Sequence, residues 1–180
     1  MVQTDGSFYL PYKLTVKNFS LEPVTGINVT DHLAGATQNF GTFNNGGNLL
    51  EGQYRIISIS GSFGTINAGF NGSNNDLIVS AGTLAAGAST TLNYVVHVKP
   101  AVPRVVPALI YTNQATVTGT GQHSGQPVTD LSNNTDNPDP DENGIPNETG
   151  NNNPTTIAPV PAPAITLTKN CNTSSYKRCC

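Results

Sequence analysis

The chain has 180 residues, enough for one sizeable domain or for a domain with a tail. Only 11% of the residues are charged and the formal net charge is −3, which excludes the dense Lys and Arg patches that bind nucleic acid or anionic membranes. The abundance of Gly, Asn, Thr and Ser and the absence of Trp favour short strands and many turns over helices.

Alternation of apolar and polar residues with a period of two dominates the first 120 positions. The run "YKLTVKN" places Tyr12, Leu14 and Val16 on one face, which predicts a half-buried strand. The run "INVTDHL" repeats this pattern after the turn-forming "EPVTG". The Gly- and Asn-rich stretch 41–52 then indicates a loop.

Three further strands are predicted from "YRIISIS", "LIVS" and "TTLNYVVHV", whose residues are mostly β-branched or aromatic. Pro103 and Pro107 confine "AVPRVVPALIY" to an edge or a crossover, because proline lacks the N–H that a central strand needs. The run "YTNQATVTGTG" returns to strand, with Ala115 and Val117 facing inward. About six to eight short strands separated by turns predict an all-β fold, an Ig-like antiparallel β-sandwich.

The composition changes after Gly121. Between Thr129 and Thr156 the only large aliphatic residues are Leu131 and Ile145, so this part is too polar for a core of its own. We therefore predict a sandwich over residues 1–121 and an acidic, Asp-, Asn- and Pro-rich linker over 122–163.

Residues 164–180 have a different pattern. The stiff, Pro-rich "APVPAPA" leads into "AITLTK", which alternates again. We predict either the first strand of a next repeat or a strand donated to another molecule. The tail that follows contains the only cysteines, Cys171, Cys179 and Cys180, so no disulfide framework stabilises the domain. Interchain disulfides, or an addition foreign to the natural chain, are favoured for these thiols over prenylation.

Four segments occur in a distinctive order, containing in turn "LTVKN" with "VTD", then "GTLAAG", then "NQATVTG" with "PDPDENGIPNE", and finally "PAITLTK". Over about residues 8–169 they resemble one full repeat of the Ig-like domain of large bacterial surface proteins called domain of unknown function eleven. The resemblance implies a tandem module of secreted or cell-surface chains, without enzymatic activity. The tail after Lys169 matches nothing in that family.

The acidic linker contains the spacing D-x-D-x-N-G-x-x-N-E. Calcium takes about six to eight oxygen ligands, and a loop with ligands at alternate positions and a glycine turn lets the chain wrap around the ion. The predicted Ca²⁺ ligands are the side chains of Asp139, Asp141 and Asn143, the Ile145 carbonyl, and Asn147 or Glu148. Gly150 stands where an EF-hand requires a bidentate Glu, so an EF-hand is excluded. The alternative is a solvated linker without metal.

Other polar residues give weaker signals. Asp31, Asp130 and Asp136 are predicted to cap turns, with a second ion as the alternative. The histidines lack the paired spacing of zinc ligands, and we expect them on the surface. The run "GTGQHSG" matches neither a nucleophile elbow nor a dinucleotide-binding fingerprint, so no enzyme is predicted.

The sequence therefore predicts an extracellular or bacterial cell-surface module that spaces or attaches, with a calcium-stiffened junction to its neighbour. Its expected partners are neighbouring repeats or copies of itself, and a surface glycan or protein. No stretch approaches the roughly 18 apolar residues that span a bilayer, so we expect no membrane insertion. One alternative is a filament subunit that adds "AITLTK" to a neighbour's sheet edge. Another is a carbohydrate- or protein-binding module, which would expose four aromatic side chains at one end: Phe40, Phe43, Phe63 and Phe70.

Overall fold

The computed structural model describes residues 3–34, 40–101, 110–145 and 147–157. This part of the chain is all-β, and it contains no helix long and apolar enough to cross a membrane. The predicted strand containing Ile165 and the three cysteines lie outside the described residues. The strands are β1 (Phe8–Lys17), β2 (Val24–Asp31), β3 (Thr42–Phe43), β4 (Gln53–Gly61), β5 (Thr65–Ile66), β6 (Leu77–Leu84), β7 (Ser89–Lys99), β8 (Tyr111–Asn113), β9 (Ala115–Gly121), β10 (Pro127–Leu131) and β11 (Thr155–Ile157).

Two sheets form the sandwich. The first has the strand order β1-β7-β4-β3 and the second β10-β9-β2-β6-β5, while β8 and β11 form a separate pair. Neighbouring strands run antiparallel except β3 and β4. The prediction of an antiparallel β-sandwich is confirmed.

The core lies between the two sheets and follows the predicted alternation. On β7, the central strand of the first sheet, Leu92, Tyr94, Val96 and Val98 are each at most 1% exposed. Side chains of β2 and β6 in the second sheet complete one continuous apolar cluster with them. Burial of apolar area at about 25 cal/mol per Å² supplies the main driving force for folding, because no disulfide occurs among the described residues.

The phenylalanines of the turn-rich loops enter this core. Phe40, Phe63 and Phe70 are at most 5% exposed, and Phe43 is half-buried against the ring of Tyr54. The aromatic cluster that a binding module would expose at one end is therefore absent from the described surface. The physical reason is that the loops fold back over the open ends of the sandwich, where an aromatic ring covers more area than any other side chain.

The sheets continue beyond the boundary predicted at residue 121. Strand β10 pairs with β9, and β11 pairs with β8, so both ends of the acidic segment are hydrogen-bonded to the domain. Sequence alone missed these strands because each is short, five residues for β10 and three for β11, and no longer alternating pattern surrounds them. Their pairing partners supply the stability that the segment itself lacks.

One histidine departs from the surface prediction. His97 lies on the outer face of β7, yet it is only 8% exposed because Tyr9 stacks on its ring at 4.3 Å. Its Nε2 is 2.8 Å from the hydroxyl of Ser7. The residues that precede and begin β1 therefore cover part of the outer face.

Gly82 shows how closely the core is packed. A methyl group placed there would lie 2.3 Å from the buried ring of Phe63. We expect Gly82→Ala to destabilise the fold by about 1–3 kcal/mol, because the ring must move within a filled core. Urea unfolding measures this difference. Gly46→Ala is the control, since nothing lies within 4 Å of the added methyl; equal effects of the two substitutions would contradict this packing.

Candidate functional site

The acidic segment 132–154 is a loop held at both ends by the same part of the sandwich. The Gln114 side chain, between β8 and β9, donates to the carbonyl oxygens of Ser132 (3.2 Å) and Asn152 (2.8 Å). The Ser132 amide donates to the Ala115 carbonyl at 2.8 Å. The two ends of the loop thus meet at one residue, which reduces the conformational freedom of everything between them.

Asp139 is the buried carboxylate of this loop. It is only 2% exposed, although its neighbours are mostly solvated. One carboxylate oxygen, Oδ2, accepts the Gly144 amide at 2.8 Å, across a turn in which Gly144 has φ +81° and Glu142 has φ +58°. The other oxygen, Oδ1, is buried without a hydrogen-bond partner among the described residues. A buried carboxylate oxygen without a partner destabilises the folded state unless a cation or a hydrogen-bond donor contacts it.

Two further carboxylates converge beside Asp139. The Asn143 amide nitrogen donates to Asp141 Oδ2 at 2.9 Å and to Glu148 Oε1 at 2.7 Å, so it links these two side chains. The pKa of Asp141 is held below its ordinary value, chiefly by the hydrogen bond from Asn151. Asn143 therefore brings Asp141 and Glu148 together, and Asp139 is held nearby through its hydrogen bond from Gly144, the next residue along the chain. None of the ion pairs found among the described residues includes any of them.

Asn151 belongs to this cluster, and the sequence reasoning missed it. The side chain is 5% exposed, and its amide nitrogen is 3.3 Å from Asp141 Oδ1 and 3.4 Å from the Ile145 carbonyl. The side chain of Asn147, a predicted ligand, pairs instead with Asn152. No signal distinguishes Asn151 among "NETGNNN", because only the fold of the loop decides which Asn turns inward.

The cluster is a mixed donor set. Within the described ranges, no group of three or more His, Cys, Asp and Glu side chains is placed so that these alone could hold a metal ion. A cation here would depend on amide and carbonyl oxygens as well as carboxylates, which is the donor chemistry of calcium. The Asn143 amide nitrogen now lies between Asp141 and Glu148, so the amide must turn its oxygen inward for Asn143 to act as a ligand.

The remaining acidic candidates have different roles. Asp136 is an exposed partner of Lys13, at 3.4 Å, and such surface pairs contribute little stability. Asp31 is 1% exposed and does not cap a turn with its side chain, contrary to the prediction. Its Oδ2 accepts hydrogen bonds from the Tyr94 hydroxyl and from Asn113 Nδ2, the latter at 2.9 Å. The alternation of β2 carries Asp31 inward, where it forms a buried polar network.

A scan against protein-family models finds no match to this chain, and searches of curated proteins and of solved structures find no significant match.

Burial raises the pKa of the Asp31 carboxyl from 3.8 to about 6, against the smaller lowering effect of its hydrogen bonds. The folded protein thus binds this proton more tightly than the unfolded chain does. Its stabilising contribution, on the order of 3 kcal/mol, is fully present below about pH 4 and is lost as the pH rises through about 6. We expect Asp31→Asn to flatten the pH dependence of the free energy of unfolding in this window.

Urea unfolding of the two proteins at pH 4 to 7.5 measures this effect. Parallel pH profiles for the parent chain and Asp31→Asn would contradict it.

Proposed function

We propose that the chain is a structural module of a bacterial cell-surface or secreted protein, and that its acidic segment binds a calcium ion that fixes the segment against the sandwich. The observation that carries the metal proposal is the buried Asp139, whose Oδ1 has no hydrogen-bond partner among the described residues. The nearby Asp141 and Glu148 supply further negative oxygens. The proposed ligands are Asp139, Asp141, the Ile145 carbonyl and Glu148, together with Asn143 and Asn151 after rotation of their amides.

Calcium binding would offset the entropic cost of ordering the segment 132–154. Ordering each residue costs about 1–2 kcal/mol of backbone entropy, and residues 132–154 bury few apolar side chains to offset that cost. An ion that binds only the ordered loop stabilises it by about 2.7 kcal/mol when the ion is at a hundred times its dissociation constant. Comparable loops in extracellular modules bind calcium with dissociation constants of about 10⁻⁴–10⁻³ M. The external medium commonly supplies such concentrations, which favours an extracellular setting.

The structural role is supported by the architecture. The β-sandwich is followed by the acidic segment, whose two ends are hydrogen-bonded to Gln114 of the domain. A Pro-rich sequence comes next, and this order is suited to spacing one module from the next. The resemblance to Ig-like repeats of bacterial surface proteins points the same way. The glycan-binding alternative loses its main support, because the phenylalanines on which it depended are buried or half-buried.

We expect isothermal titration of the metal-free chain with CaCl₂ to show one binding event, which Asp139→Asn weakens by at least about tenfold, because the substitution removes the charge of the buried ligand. Calcium should also slow proteolysis of the segment 132–154. The matched control is Glu142→Gln, which removes one charge from the same loop at an exposed side chain outside the proposed ligand set. No heat of binding at millimolar calcium, or equal weakening by both substitutions, would exclude this site.

The surface location has its own test. Proteinase K added to intact cells of the source bacterium is expected to remove the immunoblot signal of the chain while a cytoplasmic marker persists. Full protection of the chain until the cells are lysed would contradict the proposed location.

A further inference from the structure

An apolar groove runs along one side of the sandwich, where β1 of the first sheet faces β9 and β10 of the second. Its volume is about 350 Å³, at the lower end of the range for ligand sites in proteins. We call it the β1–β10 groove. Its apolar lining includes Leu14, Val16, Val24, Ile27, Val117 and Val128.

The groove is bordered by two sheet edges. β1 and β10 are the terminal strands of their sheets, so each has one side without a neighbouring strand in the described chain. On β10, Val128 is 46% exposed and Leu131 is 37% exposed, and both line the groove, so its apolar surface extends to accessible side chains. An open sheet edge beside partly exposed aliphatic residues is the arrangement to which an added strand binds.

The lysines of β1 leave this groove accessible. Lys13 and Lys17 alternate with the inward Leu14 and Val16, and lysines at an edge commonly protect it from pairing. Here Lys13 contacts Asp136 at 3.4 Å, and the Lys17 ammonium lies 4.3 Å from the centre of the Phe19 ring. Both lysines and both of these partners are themselves among the residues that line the groove. Each lysine ammonium is already engaged by a partner, and Leu14 and Val16 beside them remain partly exposed.

We propose that the β1–β10 groove binds residues 164–169, "AITLTK", of a second copy of this chain as an added strand. The segment alternates with a period of two, so Ile165 and Leu167 share one face while Thr166 and Thr168 share the other. Its two aliphatic side chains match an apolar groove, and its backbone matches the free edge of β1. The segment lies in the 23 residues that follow Ile157, the last described position.

The direction of β11 favours the tail of a second copy, and not the chain's own tail, as the strand that occupies the groove. Ile157 pairs with Tyr111 and Thr155 with Asn113, so the chain at Ile157 runs away from Ala115 and the rest of β9. The groove lies along β9, beginning at Ala115. The spacer 158–164 contains three prolines, and a polyproline-type segment of this length would span roughly 20 Å at about 3.1 Å per residue. A semi-rigid spacer leaving in that direction favours a groove on another molecule.

The interaction stands independently of calcium. The aliphatic lining belongs to strands of the sandwich, although the acidic segment also contributes six lining residues: Ser132, Asn133, Thr135, Asp136, Pro138 and Gly144. Association should therefore be measured both with calcium and with EGTA. Strand addition that persists in EGTA supports this proposal even if the metal site fails.

Light scattering coupled to size-exclusion chromatography, in the presence of a reductant that prevents disulfides between tail cysteines, tests the proposal. The parent chain is expected to show a mass that rises with concentration. Leu167→Asp in the donor and Val128→Asp in the groove should each weaken association by more than about tenfold, because a carboxylate would be buried without a partner. An equimolar mixture of these two variants should form dimers of twice the chain mass, since one intact tail then meets one intact groove.

Two substitutions serve as controls. Thr166→Asp places the same charge on the opposite face of the donor, and Ile57→Asp alters a β4 residue of similar exposure, 48%, outside the groove lining. Both variants should associate like the parent chain, and thermal melting should show that Val128→Asp remains folded. A mixture of Leu167→Asp and Val128→Asp that stays monomeric would overturn the proposal. Equal self-association of Leu167→Asp and Thr166→Asp would also overturn it.

Discussion

The buried hydrogen bonds of Tyr94 hold the architecture together, because they join all three sheets at one point. Tyr94 lies on β7 of the first sheet, Asp31 on β2 of the second, and Asn113 on β8 of the small third sheet. β8 in turn carries β11 and the end of the acidic loop. Displacing any of these side chains would break hydrogen bonds in a low-dielectric core where Asp31 Oδ1 and Asn113 Oδ1 already have no partner among the described residues, so few other arrangements are permitted. It therefore fixes how the loop-bearing sheet sits on the sandwich.

The acidic segment illustrates a different constraint. Its residues cannot build an apolar core, so its order depends on hydrogen bonds from asparagine side chains and on the anchoring of both ends near Gln114. Asp141 accepts hydrogen bonds from both Asn143 and Asn151, while the carboxylate of Asp139 is buried beside them and accepts only the Gly144 amide among the described residues. Carboxylates brought together without a Lys or Arg partner favour a cation by simple electrostatics. The proposed calcium site thus follows from how the segment folds, while its attachment to the sandwich follows from strand pairing.

The two sides of the sandwich differ in how completely the apolar interior is covered; the covered side is called closed and the other open. At one side, where β3 and β5 are the terminal strands of their sheets, the loops next to these strands contribute the buried Phe40, Phe63 and Phe70, so the apolar interior is covered. At the other side β1 and β10 leave aliphatic side chains partly exposed. The difference arises because the loops rich in phenylalanine occur before β7, whereas the segment after β10 is acidic and provides no aromatic cover. A partner strand is the natural complement of the open side.

The sequence by itself determined the class of fold, because a period of two on β1, β2 and β7 is incompatible with helices and assigns the inward residues directly. It also determined the alternating oxygens of Asp139, Asp141 and Asn143, which are a local property of a short loop. Only the tertiary structure decided that Asp31 is buried, that Asn151 turns inward, and that β10 and β11 form at all. Those outcomes depend on neighbours about 10 to 80 residues away, and local patterns contain no information about such contacts.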